Sequence, residues 1–478
     1  MSQSGLVREL DWTLTPQQVM ASWNCDIPLL ALVSGGNSPA FDQWTILAPR
    51  LEVKSLTART SCAAELLDQM RTFAPPRAAE FVGSKNLRLP FLGGWIGFVG
   101  YDCASLFEPL AQVVGGAHDR HACDAAWPDA MLCRVPRALV YSHILGRWFD
   151  VGDSSARNVC EMVNNESPSF SPSFSPTFAP EGEHKSWTAL DSGEVKPQSN
   201  AVHFQSMVAR TVEYVHAGDI FQANITQPFR ARISGSVRAF ALDALERTSP
   251  RYGAYLELDD DRALLSFSPE LFLSLDGESR RVTTRPMKGT RANPSDAAEL
   301  MANAKDAAEL HMIVDLMRND LGRVCDIGSV RVDEARMLEH HPTVLQAVAE
   351  VSGTLTTQSD LADLFAACFP PGSVTGAPKV RAMQIIDELE STARGPYCGA
   401  IGLASSCGSA LFSVAIRTAQ LTRDPTTDHW TLDYHAGCGI VADSDPAGEA
   451  QECMTKTQIL RVALATHEHE PQTIAAHG

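Results

Sequence analysis

The tract SPSFSPSFSPTF at 167–178 repeats serine, proline and phenylalanine, and it marks where a folded core cannot lie. Proline lacks the N–H that a helix or ladder needs, and serine has almost no apolar surface to bury. The span 153–200 around it reads as a flexible surface insertion or linker. Its evenly spaced phenylalanines also suit a docking motif, although a plain linker is the commoner use of such composition. The core must then come from 1–152, a β-rich region, and from 201–465, with 466–478 as a frayed tail.

A chain of 478 residues exceeds the size at which one simple core stops growing, so two domains or one large intertwined domain are expected. A formal charge of −18 argues against nucleic acid or an anionic membrane as the main partner. A locally basic pocket for a small anion stays compatible with it. The N-terminal MSQSGLVREL lacks the basic and apolar segments of a secretion signal, and no apolar run reaches membrane-spanning length. The twelve cysteines form no CxxC pair, so they read as reduced and mostly buried thiols in a cytoplasmic protein.

Before the insertion, LALVSG, WTILAP, GGWIGFVGYD and RALVYSH alternate with glycine and proline and read as strands. After it, 201–217 reads as a helix closed by Gly218, IFQANITQPF as a strand, and GAYLELD with ALLSFS as a hairpin. A long helix is expected over 296–318, with Asp296 and Glu299 as a capping pair. Pro378 opens another helix running to Glu390. ALFSVAIRTAQL and HWTLDYHAGCGIVA read as strands, and the last helix covers 448–465.

Several side chains in these elements could carry chemistry. Glu449, Glu452 and Lys456 share one face of the last helix, and Asp306 and Glu309 share one face of the long helix. Two carboxylate pairs suit Mg²⁺, a hard cation that takes oxygen ligands; the same spacing equally describes surface salt bridges, the commoner case. Gly437 and Gly439 interrupt a strand, as happens at a bulge or where a ligand approaches the backbone. Arg417 lies among apolar neighbours and needs an anion, whether an internal acid or a substrate carboxylate. Thr375 and Gly376 sit in the turn PPGSVTGAPK, which departs from the phosphate-loop pattern but still leads into a helix N-terminus able to hold an anion. Of 39 basic residues only eight are lysine, and Lys288 in TTRPMKGTR is either a surface charge or a reactive amine.

Taken together, GDIFQANIT (218–226), SPE (268–270), TRPMKGTR (284–291), KDAAELHMIVDLMRNDLGRV (305–324), PPGSVTGAPKVRAMQIIDELE (370–390), CGAIG (398–402), AIRT (415–418) and GCGIVADSDPAGEAQE (437–452) are similar, in order, to the motifs of one family. The chain resembles the chorismate-utilising enzymes, which include the component I subunits of anthranilate and aminodeoxychorismate synthases and the isochorismate and salicylate synthases. The first 150 residues match more loosely, mainly through GGWIGFVGYD. The resemblance implies an α+β fold of two large antiparallel sheets packed as a sandwich, with helices outside and both halves of the chain contributing. It implies chorismate as substrate and Mg²⁺ on Glu309 and Glu452, supported by Asp306 and Glu449. The ring carboxylate would meet Mg²⁺, Lys456 and the backbone around Gly437 and Gly439. Arg417 and the region of Tyr397 would take the enolpyruvyl carboxylate. Glu270 matches the acid that protonates the departing C4 hydroxyl, which leaves poorly as hydroxide.

Three positions bear on the branch of the family. Where isochorismate and salicylate synthases carry a water-activating lysine, this chain has Gln222, which is no base, so ammonia is the expected nucleophile. Lys288 stands where anthranilate synthases resemble the motif with alanine and aminodeoxychorismate synthases carry lysine. Gln346 replaces a histidine implicated in pyruvate elimination, which suits an enzyme that keeps the enolpyruvyl group; the nearby His340-His341 pair is displaced and reads as structural. The reaction implied is chorismate plus ammonia to 4-amino-4-deoxychorismate, toward 4-aminobenzoate and folate. The chain shows no glutaminase motif, so ammonia would come from a glutamine amidotransferase subunit or from free ammonium. The alternatives are the anthranilate branch and a non-catalytic chorismate-binding subunit; Glu270, Lys288, Glu309 and Glu452 together oppose the latter.

Overall fold

The computed structural model describes residues 5–35, 44–56, 62–72, 81–82, 87–111, 127–163, 186–291, 294–340 and 345–465. The 167–178 repeat, the 466–478 tail and His341 lie outside them. The described strands form two large sheets, of 13 and 10 strands, and a separate two-stranded pair. Helices surround the sheets, and every strand pairing is antiparallel.

Both halves of the chain enter both sheets. In the larger, N-terminal strands from Gly5–Leu10 to Leu29–Val33 join the C-terminal set where Leu29–Val33 pairs Tyr252–Glu257. That set continues through Arg262–Ser268, Thr418–Arg423, His429–Ile440 and Gln222–Gly235. In the smaller sheet, Gly94–Val99 pairs Ala400–Ser405, and the path runs on through Ala410–Val414, Leu271–Leu275, Arg281–Arg285 and Leu345–Thr354 to Met287–Arg291. Leu30, Ile46 and Leu264 of the larger sheet share one buried cluster with Ile96, Phe98 and Leu403 of the smaller. Apolar burial contributes about 25 cal/mol per Å², so this shared interior is what joins the two sheets.

The hairpin of Tyr252–Glu257 with Arg262–Ser268 forms as expected. Other elements differ from the sequence reading for identifiable reasons. The long helix splits into Ala297–Ala302 and Ala304–Gly322, because Asn303 turns extended and its side chain caps Asp306 N. The expected Asp296–Glu299 capping pair is absent among the described contacts; Glu299 holds Arg291 instead. The last helix breaks at Thr457 into Pro446–Lys456 and Gln458–Leu464. ALFSVAIRTAQL is two strands in different sheets, since the chain crosses between sheets at 415–417 and Arg417 has φ +53°. The ends of the 153–200 span belong to the fold: Trp187–Ala189 pairs the end of Gln222–Gly235, and the Trp187 ring packs on Phe240 at 4.9 Å. One half-buried aromatic there anchors the segment despite the polar composition that surrounds it.

Candidate active site

Glu270 and Arg417 lie on two neighbouring crossovers between the sheets. The first crossover links Arg262–Ser268 to Leu271–Leu275, and the second links Ala410–Val414 to Thr418–Arg423. They are stitched together: Val414 N donates to Glu270 O at 3.0 Å, Phe267 N to Arg417 O at 2.9 Å, and Ser268 Oγ to Val414 O at 2.6 Å. Ladder pairing is interrupted at both crossings, so their side chains can turn inward between the sheets.

The Glu270 carboxyl is buried, which pushes its pKa up to about 7. The Ser373 hydroxyl, the Lys288 charge, the Met287 N–H and the Arg417 charge favour the ionised form and keep the rise from being larger. Near neutral pH such a group holds a proton and can release it. Ser373 was not singled out in the sequence; its place in the PPGSVTG turn was the available signal. Lys379 fixes that turn, donating to Asp320 Oδ2 at 2.6 Å, Cys368 O at 3.0 Å and Pro370 O at 3.1 Å.

Arg417 is partly buried, and desolvation lowers its pKa. Its guanidinium has no hydrogen bond or ion pair among the described residues. A crowded cation with no direct ion pair, and only the more distant Glu270 to offset it, is costly, and an anionic ligand is the natural remedy. Nearby, the strand His429–Ile440 loses one partner: its ladder with Thr418–Arg423 ends at Tyr434, while its ladder with Gln222–Gly235 continues to Ile440. The segment 435–440, with Gly437 and Gly439, therefore has one unpaired edge. Tyr397 is buried and stacks on His435 with centroids 5.3 Å apart. His435 too was missed in the sequence, although it lies two residues before Gly437.

Gly439 is where two elements converge. A β-carbon there would lie 2.6 Å from both the Gln222 amide nitrogen and Lys288 Nζ. Lys288 comes from the edge of the smaller sheet, opposite Ala347, and Gln222 from the larger. Gln222 is fully buried, and neither its Oε1 nor its Nε2 has a hydrogen-bond partner. Gln346, opposite Thr290, is buried with its Oε1 also unpartnered, while its Nε2 lies 3.4 Å from Thr290 Oγ1. Each orphaned buried polar group costs about 1–3 kcal/mol, so such amides point to a ligand that completes them.

Thr375 and Gly376 brace this arrangement. The Thr375 hydroxyl donates within its own turn, to Pro371 O and Gly372 O, and its carbonyl accepts from Asn224 N at 2.7 Å, so Thr375 ties the turn to the strand and offers no free hydroxyl. Gly376, at φ +150°, pairs Ala223 so closely that a β-carbon would lie 2.1 Å from Gln222 O.

The acidic residues gather on two helices. Glu449 and Glu452 come together with Cys438 Sγ, their ligand atoms all within 4.8 Å. Asp306 and Glu309 lie outside that cluster: Arg291 Nη2 holds Asp306 at 3.1 Å, and Lys288 Nζ lies 3.4 Å from Glu309 Oε2. Lys305 Nζ, 3.7 Å from Glu449, links the helices, and the Lys288 charge acts on Glu452 as well. Lysine ammoniums thus spread between carboxylates of both helices, which is the donor chemistry a hard divalent cation fits. Lys456 Nζ donates to Gly437 O at 2.7 Å and pairs Glu452 at 2.7 Å.

Residues 40–461 match the family model described as chorismate binding enzyme. The chain is 34% identical over 424 residues to aminodeoxychorismate synthase component 1 of Escherichia coli, covering 85% of this chain and 83% of that protein. It is also 34% identical over 382 residues to anthranilate synthase component 1 of Saccharolobus solfataricus, covering 78% and 81%. The crystal structure of anthranilate synthase component I from Streptococcus pneumoniae superposes with a TM-score of 0.70 at 27% identity, over 89% of this chain and 93% of that one. With the matched span, the relatives' coverage and the superposition in agreement, the chain belongs to the chorismate-binding enzyme family.

Proposed function

We propose that this chain is an aminodeoxychorismate synthase component I, which aminates chorismate at C4 with ammonia from a glutamine amidotransferase partner. The observation that carries this reading is the Lys288 amine at Gly439, beside the orphaned Gln222 amide and 3.4 Å from Glu309. The relatives' names cover both nitrogen-using branches at 34% identity, so the branch rests on these side chains.

In this reading the unpaired edge at Gly437–Gly439 and Lys456 face the ring carboxylate, and Arg417 with Tyr397 takes the enolpyruvyl carboxylate. Glu309 and Glu452 would hold Mg²⁺, with Asp306 and Glu449 behind them; the ion supplies positive charge to the ring carboxylate. Glu270 gives its proton to the C4 hydroxyl, which departs as water while the Lys288 amine forms a bond to C2 and the ring double bond shifts. Ammonia then bonds to C4, the double bond returns, the Lys288 amine leaves C2 with its bonding electrons, and the new C4 ammonium returns one proton to the Glu270 carboxylate. Gln222 offers hydrogen bonds but no base, which disfavours water as the nucleophile. Gln346, unable to shuttle a proton, leaves the enolpyruvyl group in place.

The experiment is a product analysis by mass and chromatography after incubation with chorismate, Mg²⁺ and ammonium. Formation of 4-amino-4-deoxychorismate supports the proposal; anthranilate as the main product refutes it.

A further inference from the structure

The chemistry above makes no use of two thiols. Cys438, between the two glycines of His429–Ile440, and Cys453, on the helix Pro446–Lys456, are both buried with their sulfurs 3.5 Å apart. Cys438 Sγ also lies with the carboxylates of Glu449 and Glu452 inside 4.8 Å. One helix therefore presents Glu449, Glu452 and Cys453 toward a single strand cysteine.

We propose that Cys438, Glu449 and Glu452, with Cys453 as fourth donor, form a binding site for a thiophilic divalent cation such as Zn²⁺ or Cd²⁺, and that its occupation withdraws Glu452 from Mg²⁺. Two sulfurs each about 2.3 Å from a tetrahedral ion lie about 3.8 Å apart, close to the spacing present; the distances from Cys438 Sγ to the two carboxylates need to contract by roughly 1 Å, and Cys453, which lies outside that 4.8 Å group, joins by a further side-chain shift. Mg²⁺ gains nothing from thiols, whereas ions of the zinc type prefer a mixed sulfur and carboxylate set. On coordination each thiol releases its proton to solvent. Lys456 Nζ, 3.9 Å from Cys438 Sγ and 2.7 Å from Glu452, offsets part of the resulting negative charge. The Glu452 side chain is 53% exposed and gives the ion a way in. Ion capture stands independently of the reaction; only the inhibition rests on the proposed function.

The test uses the full chain, freed of metal by chelator, titrated with Cd²⁺ while the thiolate-to-cadmium ultraviolet absorption is followed. Wild type, Cys438→Ala, Cys453→Ala and Glu449→Gln are compared, with melting curves to confirm folding. The exposed Cys25 and Cys62 give the same background in all four. Wild type should show a saturable band that loses about half its intensity in Cys453→Ala and weakens at least tenfold in affinity in Glu449→Gln and Cys438→Ala. If Cys438→Ala fails to fold, the other two carry the comparison. Identical titrations in wild type and the folded variants would overturn the site and leave the sulfurs as a simple thiol contact. In turnover with Mg²⁺, the Zn²⁺ concentration for half inhibition should rise at least tenfold in Cys453→Ala. An unchanged value, with the Cd²⁺ band altered as described, would reject the inhibitory role alone; the identity of the product bears on neither result.

Discussion

Lys288 Nζ lies 3.4 Å from Glu309 Oε2 and against the backbone of Gly439, so one amine touches both the acidic helix and the unpaired strand edge. A lysine serving only as a counter-ion should be replaceable by arginine. One that forms a bond to carbon should not be. Lys288→Ala and Lys288→Arg should both lose C4 amination by at least about a hundredfold, while chorismate still binds in a calorimetric titration. Wild-type turnover in either variant would remove the covalent step.

Glu270 should control both rate and pH dependence. Glu270→Gln is expected to slow turnover by about 10²–10⁴-fold. Because burial raises the Glu270 pKa to about 7, wild-type turnover should fall as pH rises through 7, where the proton is lost. Stability follows the same sign. The folded state binds the proton more tightly than the unfolded chain, so the stabilisation is present below the ordinary carboxyl pKa and disappears as pH rises through about 7. Denaturant melts across that window should be flatter in Glu270→Gln.

Arg417 sets function against stability. Its guanidinium is desolvated and unpaired among the described residues. Arg417→Met should therefore stabilise the ligand-free protein by about 1 kcal/mol or more while abolishing saturable chorismate binding. A destabilised variant would mean that Arg417 has an internal partner.

Much of the site was legible in the sequence because its residues lie in short motifs with firm spacing. Glu449 and Glu452 on one helix, Gln222 in its strand and Lys288 beside Gly289 were readable as local patterns. What joins them was not. Lys288 reaches Gly439 from the other sheet across 150 residues of chain, and antiparallel register over that separation leaves no periodic trace. Arg417 was placed correctly in the chain but inside one continuous strand; apolar alternation looks the same on either side of a sheet crossing, and only the φ of +53° marks the break. Cys453 looked like one scattered thiol among twelve, since its partner Cys438 lies on another element.

Removal of divalent cation should separate binding from turnover. Chelation is expected to abolish amination, and Mg²⁺ should raise the melting temperature of wild type through preferential binding to the folded state. Glu309→Gln and Glu452→Gln should lose that shift. A Mg²⁺-induced shift that survives in both variants would place the ion elsewhere.

The central claim is that this chain puts nitrogen on C4 and keeps the enolpyruvyl group. The direct measurement is the product formed from chorismate, ammonium and Mg²⁺ by the purified chain, identified by mass and by conversion to 4-aminobenzoate with an added lyase. The account predicts 4-amino-4-deoxychorismate, lost in Lys288→Ala. Anthranilate with released pyruvate, or isochorismate, would contradict it.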